Sequence, residues 1–176
     1  GMDFIVINLA YNSNTGGTQA VMDWADAVLK ANPNRRAIVT SHWLIGTSFP
    51  PAQSSWGGHG QALYDNLKDN PNLFLMLCGH IHAESRRTDT YQGHTIHTLL
   101  ADYQDLPNGG NGWLRIMEFR PAANQIVVKT YSPWLSQYEL DADSSFTLNY
   151  DMSFSEIVEL GTKSISSGTA ALFNWT

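Results

Sequence analysis

The sequence predicts an α/β chain, with parallel strands and crossover helices first and antiparallel strands after. Three observations predict it. Short apolar runs at 4–10, 37–41 and 73–77 are rich in aliphatic and β-branched residues and read as buried strands. Two segments of helical periodicity separate them, and a strand–helix–strand–helix–strand order implies parallel pairing through right-handed crossovers. Beyond about residue 82 the texture changes to short alternating segments parted by turn residues, the pattern of antiparallel sheet.

Each element has a local cause. The run FIVINL enters a strand directly, and 12–18 is loop, with Asn, Ser, Thr and a Gly16-Gly17 pair. Thr18 is placed to cap a helix whose apolar face is Val21, Trp24, Ala25, Val28 and Leu29. Lys30 in its last turn suits the helix dipole, and Asn32-Pro33-Asn34 ends it. A second strand, 37–41, runs into His42. The stretch 46–60 is a glycine- and proline-containing loop, followed by a helix with Leu63, Tyr64 and Leu67 on one face. The third strand closes on Cys78-Gly79-His80-Ile81-His82. Segments 95–100, 113–119, 125–131 and 146–150 then read as strands, with turns at 107–110 and 121–124. After Met152, residues 153–176 form an extra β-strand segment that resembles the start of a further β module.

Composition narrows the function. Of 176 residues, 43% are hydrophobic, enough for a core. Ten Lys and Arg face sixteen Asp and Glu, for a net charge of −6, so no nucleic-acid partner is predicted. Charged residues make up 15%, against roughly 25% in an average soluble protein. The single cysteine, Cys78, forms no intrachain disulfide and reads as an inert core thiol. No apolar run approaches the ~18 residues of a membrane-spanning helix. Few lysines, one Cys and many Trp, Asn and Ser suit an exported, extracytoplasmic bacterial protein.

The histidines carry the chemistry. His42 and His80 each follow a buried strand, and sites in open α/β sheets form at the carboxyl ends of strands. Parallel neighbours would bring these ends together. His80 and His82 would face one side in an extended stretch, or converge in a turn that Gly79 permits. Three imidazoles in one crevice point to a divalent transition metal such as Mn, Fe or Zn.

These residues carry a resemblance. The sequences AIVTSHW at 37–43 and LFLMLCGHIH at 73–82 are similar to the calcineurin-like metallophosphoesterases. That family carries five blocks in order: Asp-x-His, Gly-Asp, Gly-Asn-His-Asp/Glu, a strand-end His, and Gly-His-x-His. His42 matches the fourth block and 79–82 the fifth, while Asp-x-His and Gly-Asp occur nowhere in this sequence. The resemblance implies a partial layered α-β-β-α sandwich over 3–152, the C-terminal half of such a domain, whose strand at Phe4 would be interior to a larger protein. It implies that His42 and His80 ligate one ion and His82 a second. The parent reaction is two-metal hydrolysis of a phosphomono- or diester, by a metal-bridging hydroxide. Two cations ~3.5–4 Å apart need anionic ligands between them. Three neutral imidazoles supply none, so at most one weakly bound ion and no activity are expected of the chain alone.

Further candidates line the same edge. Asp102, Tyr103 and Gln104 end a strand-like stretch and read either as substrate-pocket lining or as a plain strand end. His59 reads as a lid residue or a solvated loop residue. Trp43 and Trp56 are the tryptophans placed to face a ligand. His94 and His97 read as structural, Arg86-Arg87 as a solvated turn, and 108–112 as a turn with no phosphate cradle. The expected partners are the missing N-terminal half, a phosphoester substrate and a second copy meeting an uncovered apolar edge. The competing reading is a non-catalytic interaction module with vestigial histidines, binding a protein or glycan through aromatics such as Trp134 and Tyr138.

Overall fold

The computed structural model describes residues 2–11, 19–48 and 53–153. The cap at Thr18, the loop at 12–18 and the β segment after Ser153 lie outside these residues. Strand β1 (Phe4–Leu9), helix α1 (Gln19–Lys30), strand β2 (Arg36–Ser41), helix α2 (Gly58–Leu67) and strand β3 (Leu73–Cys78) follow the predicted order. Strands β4 (Glu84–Tyr91) and β5 (His94–Ala101) form a hairpin. Its two-residue turn, Gln92-Gly93, has positive φ at both positions, matching the twist of the flanking strands. The remaining strands are β6 (Leu114–Arg120), β7 (Gln125–Ser132), β8 (Gln137–Glu139) and β9 (Phe146–Asn149).

The first sheet has the order β1-β2-β3-β5-β4, parallel throughout except for the edge strand β4. Segment 95–100 therefore belongs to this sheet as β5, pairing parallel with β3, and not to the antiparallel half. The second sheet is antiparallel, with β6 on one edge of β7 and β8 and β9 following each other along the other. Helices α1 and α2 bury Leu29, Leu63 and Leu67 against Ala37, Val39, Leu73 and Met76 on one face of the first sheet. The other face packs Phe74, Leu75 and Leu99 onto Ile126, Val128 and Leu148 of the second. The layers run helix, sheet, sheet.

Helix α1 is rotated from its predicted face. Met22, Ala25 and Leu29 form the buried stripe, while Trp24 is 55% exposed and Val21 also reaches solvent. The helix crosses over β1 and β2 at the end of the sheet, so one flank of its apolar face overhangs. Val6 on β1 is likewise 54% exposed. Among the described residues, β1 has a strand partner on one side only.

Polar ties join the sheets. Glu84 accepts from Tyr103 Oη at 2.5 Å, Thr130 Oγ1 at 2.6 Å, Arg115 and Ser144. The Arg115–Glu84 pair is about nine-tenths buried, and breaking such a pair costs ~3–5 kcal/mol because it strands a charge. Burial pushes the Tyr103 hydroxyl well above its ordinary range, so it stays protonated and donating. His97 on β5 bridges the layers: Nε2–H donates to the Asn149 carbonyl at 3.1 Å and Nδ1 accepts from Thr88 Oγ1 at 3.0 Å.

That neutral imidazole makes stability depend on pH. Burial holds the His97 pKa below its ordinary 6.5, and buried His59 shifts the same way. The unfolded chain therefore takes up protons that the fold excludes, and stability falls as pH drops through about 6.5. Urea midpoints should decrease between pH 7.5 and 5.5. His97→Gln, which keeps a donor and an acceptor, should flatten that slope; an unchanged slope would refute the assignment.

Candidate metal centre

Three adjacent parallel strands deliver the site. Thr40 pairs with Leu77, and the register continues past both strands, where the Gly79 N–H donates to the His42 carbonyl at 3.0 Å. His42 Nε2 and His80 Nδ1 then stand 2.8 Å apart, within hydrogen-bond distance. Both residues are exposed at the carboxyl edge of the sheet.

His80 and His82 are aimed apart by the backbone. The Ile81 N–H donates to the Gly79 carbonyl at 3.0 Å, and the Ala83 N–H to the Ile81 carbonyl at 2.7 Å. These are successive γ-turns centred on the two histidines. His80 has φ +73°, the strained form of that turn, costing on the order of 1–3 kcal/mol. His82 faces the segment after β5. Its ring nitrogens meet the Asp105 carboxylate at Nδ1 and the Gln104 amide at Nε2. An Nδ1–H donated to Asp105 leaves Nε2 as the lone-pair nitrogen, the way carboxylates orient metal-binding imidazoles.

The structure distributes the other predicted residues. Asp102 lies against Gly79, where an added Cβ would come 3.6 Å from its Oδ2, and its Oδ1 accepts the Gln104 N–H at 3.1 Å. It shapes the loop beneath His80 and His82. Gln104 is at the site, on His82. Tyr103 turns the other way, into the Glu84 network between the sheets. Trp43 faces His80 with ring centroids 5.3 Å apart and donates its indole N–H to the Ile45 carbonyl at 3.1 Å. Trp56 packs on Tyr64 and under Arg87 instead.

His59 is neither in the loop nor solvated. It sits in the first turn of α2, 6% exposed, with Nε2 hydrogen-bonded to Ser41 Oγ at 2.9 Å. Arg87 pairs with Asp89, and Arg86 lies over the Phe146 ring, so neither is a free phosphate ligand. Burial pushes the Cys78 thiol up, in keeping with a core thiol. At 108–112 a left-handed turn uses the N–H groups of Gly110 and Asn111 internally, on Leu106 and Pro107.

Two site residues escaped the sequence. Tyr11, just past β1, lies 5.6 Å from His42 and 6.0 Å from His80 between ring centroids, stacked on the latter. Its signal was positional, two residues beyond the Leu9–Ser41 pair and so beside Trp43. Asp105 was an unremarked acid one residue after Gln104.

Comparison with known proteins bears on the fold. The chain is similar to a dimetal phosphatase from Danio rerio, with a TM-score of 0.52 and 18% identity over 77% of this chain and 39% of that one. The fold is of the metallophosphoesterase type. No family model matches the chain. It is 31% identical over 168 residues to the uncharacterized protein YvnB of Bacillus subtilis (strain 168), across 86% of this chain and 12% of that protein. It is 30% identical over 106 residues to a 3′,5′-cyclic-nucleotide phosphodiesterase of Nostoc sp. (strain PCC 7120), across 55% and 36% respectively. The chain thus spans 12% and 36% of the length of these curated relatives.

The donor chemistry fits the imidazole share of such a centre. His42 and His80 offer two converging nitrogens, and His82 a third held separately. Among the described residues, no three His, Cys, Asp or Glu side chains gather as a cation cage. A two-ion centre does not fit these residues by themselves.

The site is held from below by close backbone packing. The Gly57 N–H donates to the Leu44 carbonyl at 2.9 Å, and a Cβ on Gly60 would lie 1.9 Å from that same oxygen. Gly60→Ala must therefore push α2 off the segment after β2. We expect a loss of at least ~1–3 kcal/mol in urea unfolding, the cost of overpacking. Wild-type stability in that variant would contradict this packing.

Proposed function

We propose that this chain carries the strand-end histidine part of a divalent-metal phosphodiesterase. The observation that carries the reading is the meeting of His42 Nε2 and His80 Nδ1, 2.8 Å apart at the carboxyl edge of a sheet. The dimetal phosphatase fold and the cyclic-nucleotide phosphodiesterase relative support it. On this reading His42 and His80 hold one ion and His82, oriented by Asp105, serves a second. The ion, Mn, Fe or Zn, would supply Lewis-acid chemistry for a phosphoester when bound. Tyr11 and Trp43 wall the His80 side, and Asp102 and Gln104 shape the His82 side. The chain's own donors are neutral imidazoles, so hydrolysis needs carboxylate ligands from a further segment, the N-terminal half of the domain.

Calorimetric titration with Zn or Mn should show one weakly bound ion, lost in His42→Ala and in His80→Ala. No phosphodiesterase turnover above background should accompany it. Turnover abolished by His82→Ala would overturn the incomplete-site reading. Absence of metal binding in a folded chain would favour the other class, an interaction module using Trp134 (73% exposed), Tyr138 and Leu140 on and around β8.

The open edge of β1 supports a partner reading as well. Phe4, Val6, Val21 and Trp24 reach solvent beside an edge of β1 that has no strand partner among the described residues, a template for strand addition. In isolation the chain should self-associate there, and Val6→Lys should shift it toward monomer in sedimentation velocity. A concentration-independent monomer for the unsubstituted chain would refute this.

A further inference from the structure

The Ser41–His59 hydrogen bond lies next to the two converging histidines, joining the residue before His42 to a histidine that the sequence offered as a lid residue or a solvated loop residue. Both are more than nine-tenths buried, Ser41 at 8% and His59 at 6% exposure. His59 Nδ1 is buried with no hydrogen-bond partner among the described residues. A nucleophilic serine needs an exposed hydroxyl, and its base needs an orienting third group on the second ring nitrogen. This pair has neither. A lid needs freedom to move, whereas His59 lies in a helical turn locked by Gly57 against the Trp43 indole and Gly60 against the Leu44 backbone.

The pair reaches each half of the candidate centre through one neighbour. Ser41 is the last residue of β2, so the bond at its side chain constrains the backbone from which His42 springs. Tyr11 meets the His59 ring edge-on, with centroids 5.1 Å apart, and presents its own face to His80 at 6.0 Å. We propose that His59 is the positioning residue of the His42–His80 pair, orienting His42 through Ser41 and backing His80 through Tyr11. This inference rests on the reading of His42 and His80 as metal ligands, but it makes a separate claim about ring geometry in the metal-free chain. Supporting residues behind metal-binding imidazoles typically change affinity by about 10–100-fold when removed.

The test uses the whole chain with His59→Leu, Ser41→Ala and the conservative His59→Gln, whose amide can still bond Ser41. Long-range proton–nitrogen spectra of the metal-free protein report the His42 and His80 rings, and Co(II) absorption titration reports affinity. Thermal unfolding confirms that each variant is folded. His59→Leu and Ser41→Ala should move the nitrogen shifts of both rings and weaken Co(II) binding about 10–100-fold, with His59→Gln close to the unsubstituted chain. Unchanged ring shifts in a folded His59→Leu would overturn the proposal, and so would a His59→Gln as impaired as His59→Leu. Should His59→Leu not fold, Ser41→Ala decides alone, because it deletes one hydroxyl and leaves the core volume intact. If the unsubstituted chain takes up no Co(II), the metal reading fails, and the ring shifts still judge the positioning claim.

Discussion

The parallel pairing of β2 with β3 is the constraint from which the site follows. Two adjacent parallel strands must end on the same edge, and their register decides which residues leave the sheet side by side. Here Thr40 opposite Leu77 sets His42 opposite Gly79, and the hydrogen bond between them carries the ladder past the last regular residues. A shift of one residue would move His42 to another pleat and separate it from His80. The buried side chains on both faces resist that shift, because every one of them would change layers. The helix-side core of Val39 and Met76 and the inter-sheet core of Phe74 and Leu75 thereby position two exposed imidazoles.

The backbone after β3 spends some of that stability on direction. A γ-turn with φ +73° at His80 is tolerated because Gly79 before it hydrogen-bonds to His42, and the chain beyond re-enters a strand at Glu84. The turn explains why His80 meets His42 while His82 meets Asp105 and Gln104. Glu84 is the first residue of β4, and its carboxylate is fully engaged by Tyr103, Thr130, Arg115 and Ser144. Tyr103 stands between Asp102 and Gln104. The 79–83 loop and the 102–105 segment are thus tethered by two residues bonded to each other. The interior between the sheets and the candidate site share one scaffold, although their chemistry is separate.

Much of this was legible in the sequence, for reasons of burial. Strand β3 is covered on both sides by hydrophobic layers, and β1 and β2 bury their helix-side residues, so their apolar runs stand out, as does the buried face of α2. Strand β4 escaped because its sequence, ESRRTDTY, is that of a charged edge. Its charged side chains are held locally: Arg87 by Asp89 and the Ser54 carbonyl, and the Arg86 guanidinium over the Phe146 ring. Strand β8 escaped because it is three residues long. Helix α1 was found but rotated, since periodicity locates an apolar stripe and only the position in the sheet says how much of it is covered.

The site divides along the same line. His42 and His80 were legible because each ends a recognisable strand. His59, Tyr11, Asp105 and the turning away of Tyr103 were not, because each depends on which segment lies opposite, a matter of tertiary packing. His59 shows the point most clearly. A histidine between two glycines suggests a loose loop, yet one of them, Gly60, lets the helix approach the Leu44 backbone so closely that no larger residue fits. Composition that elsewhere signals freedom here signals close backbone packing behind the candidate site. A ring fixed that firmly, hydrogen-bonded to the residue before one candidate ligand and seated under the aromatic ring facing the other, is placed to transmit position and little else.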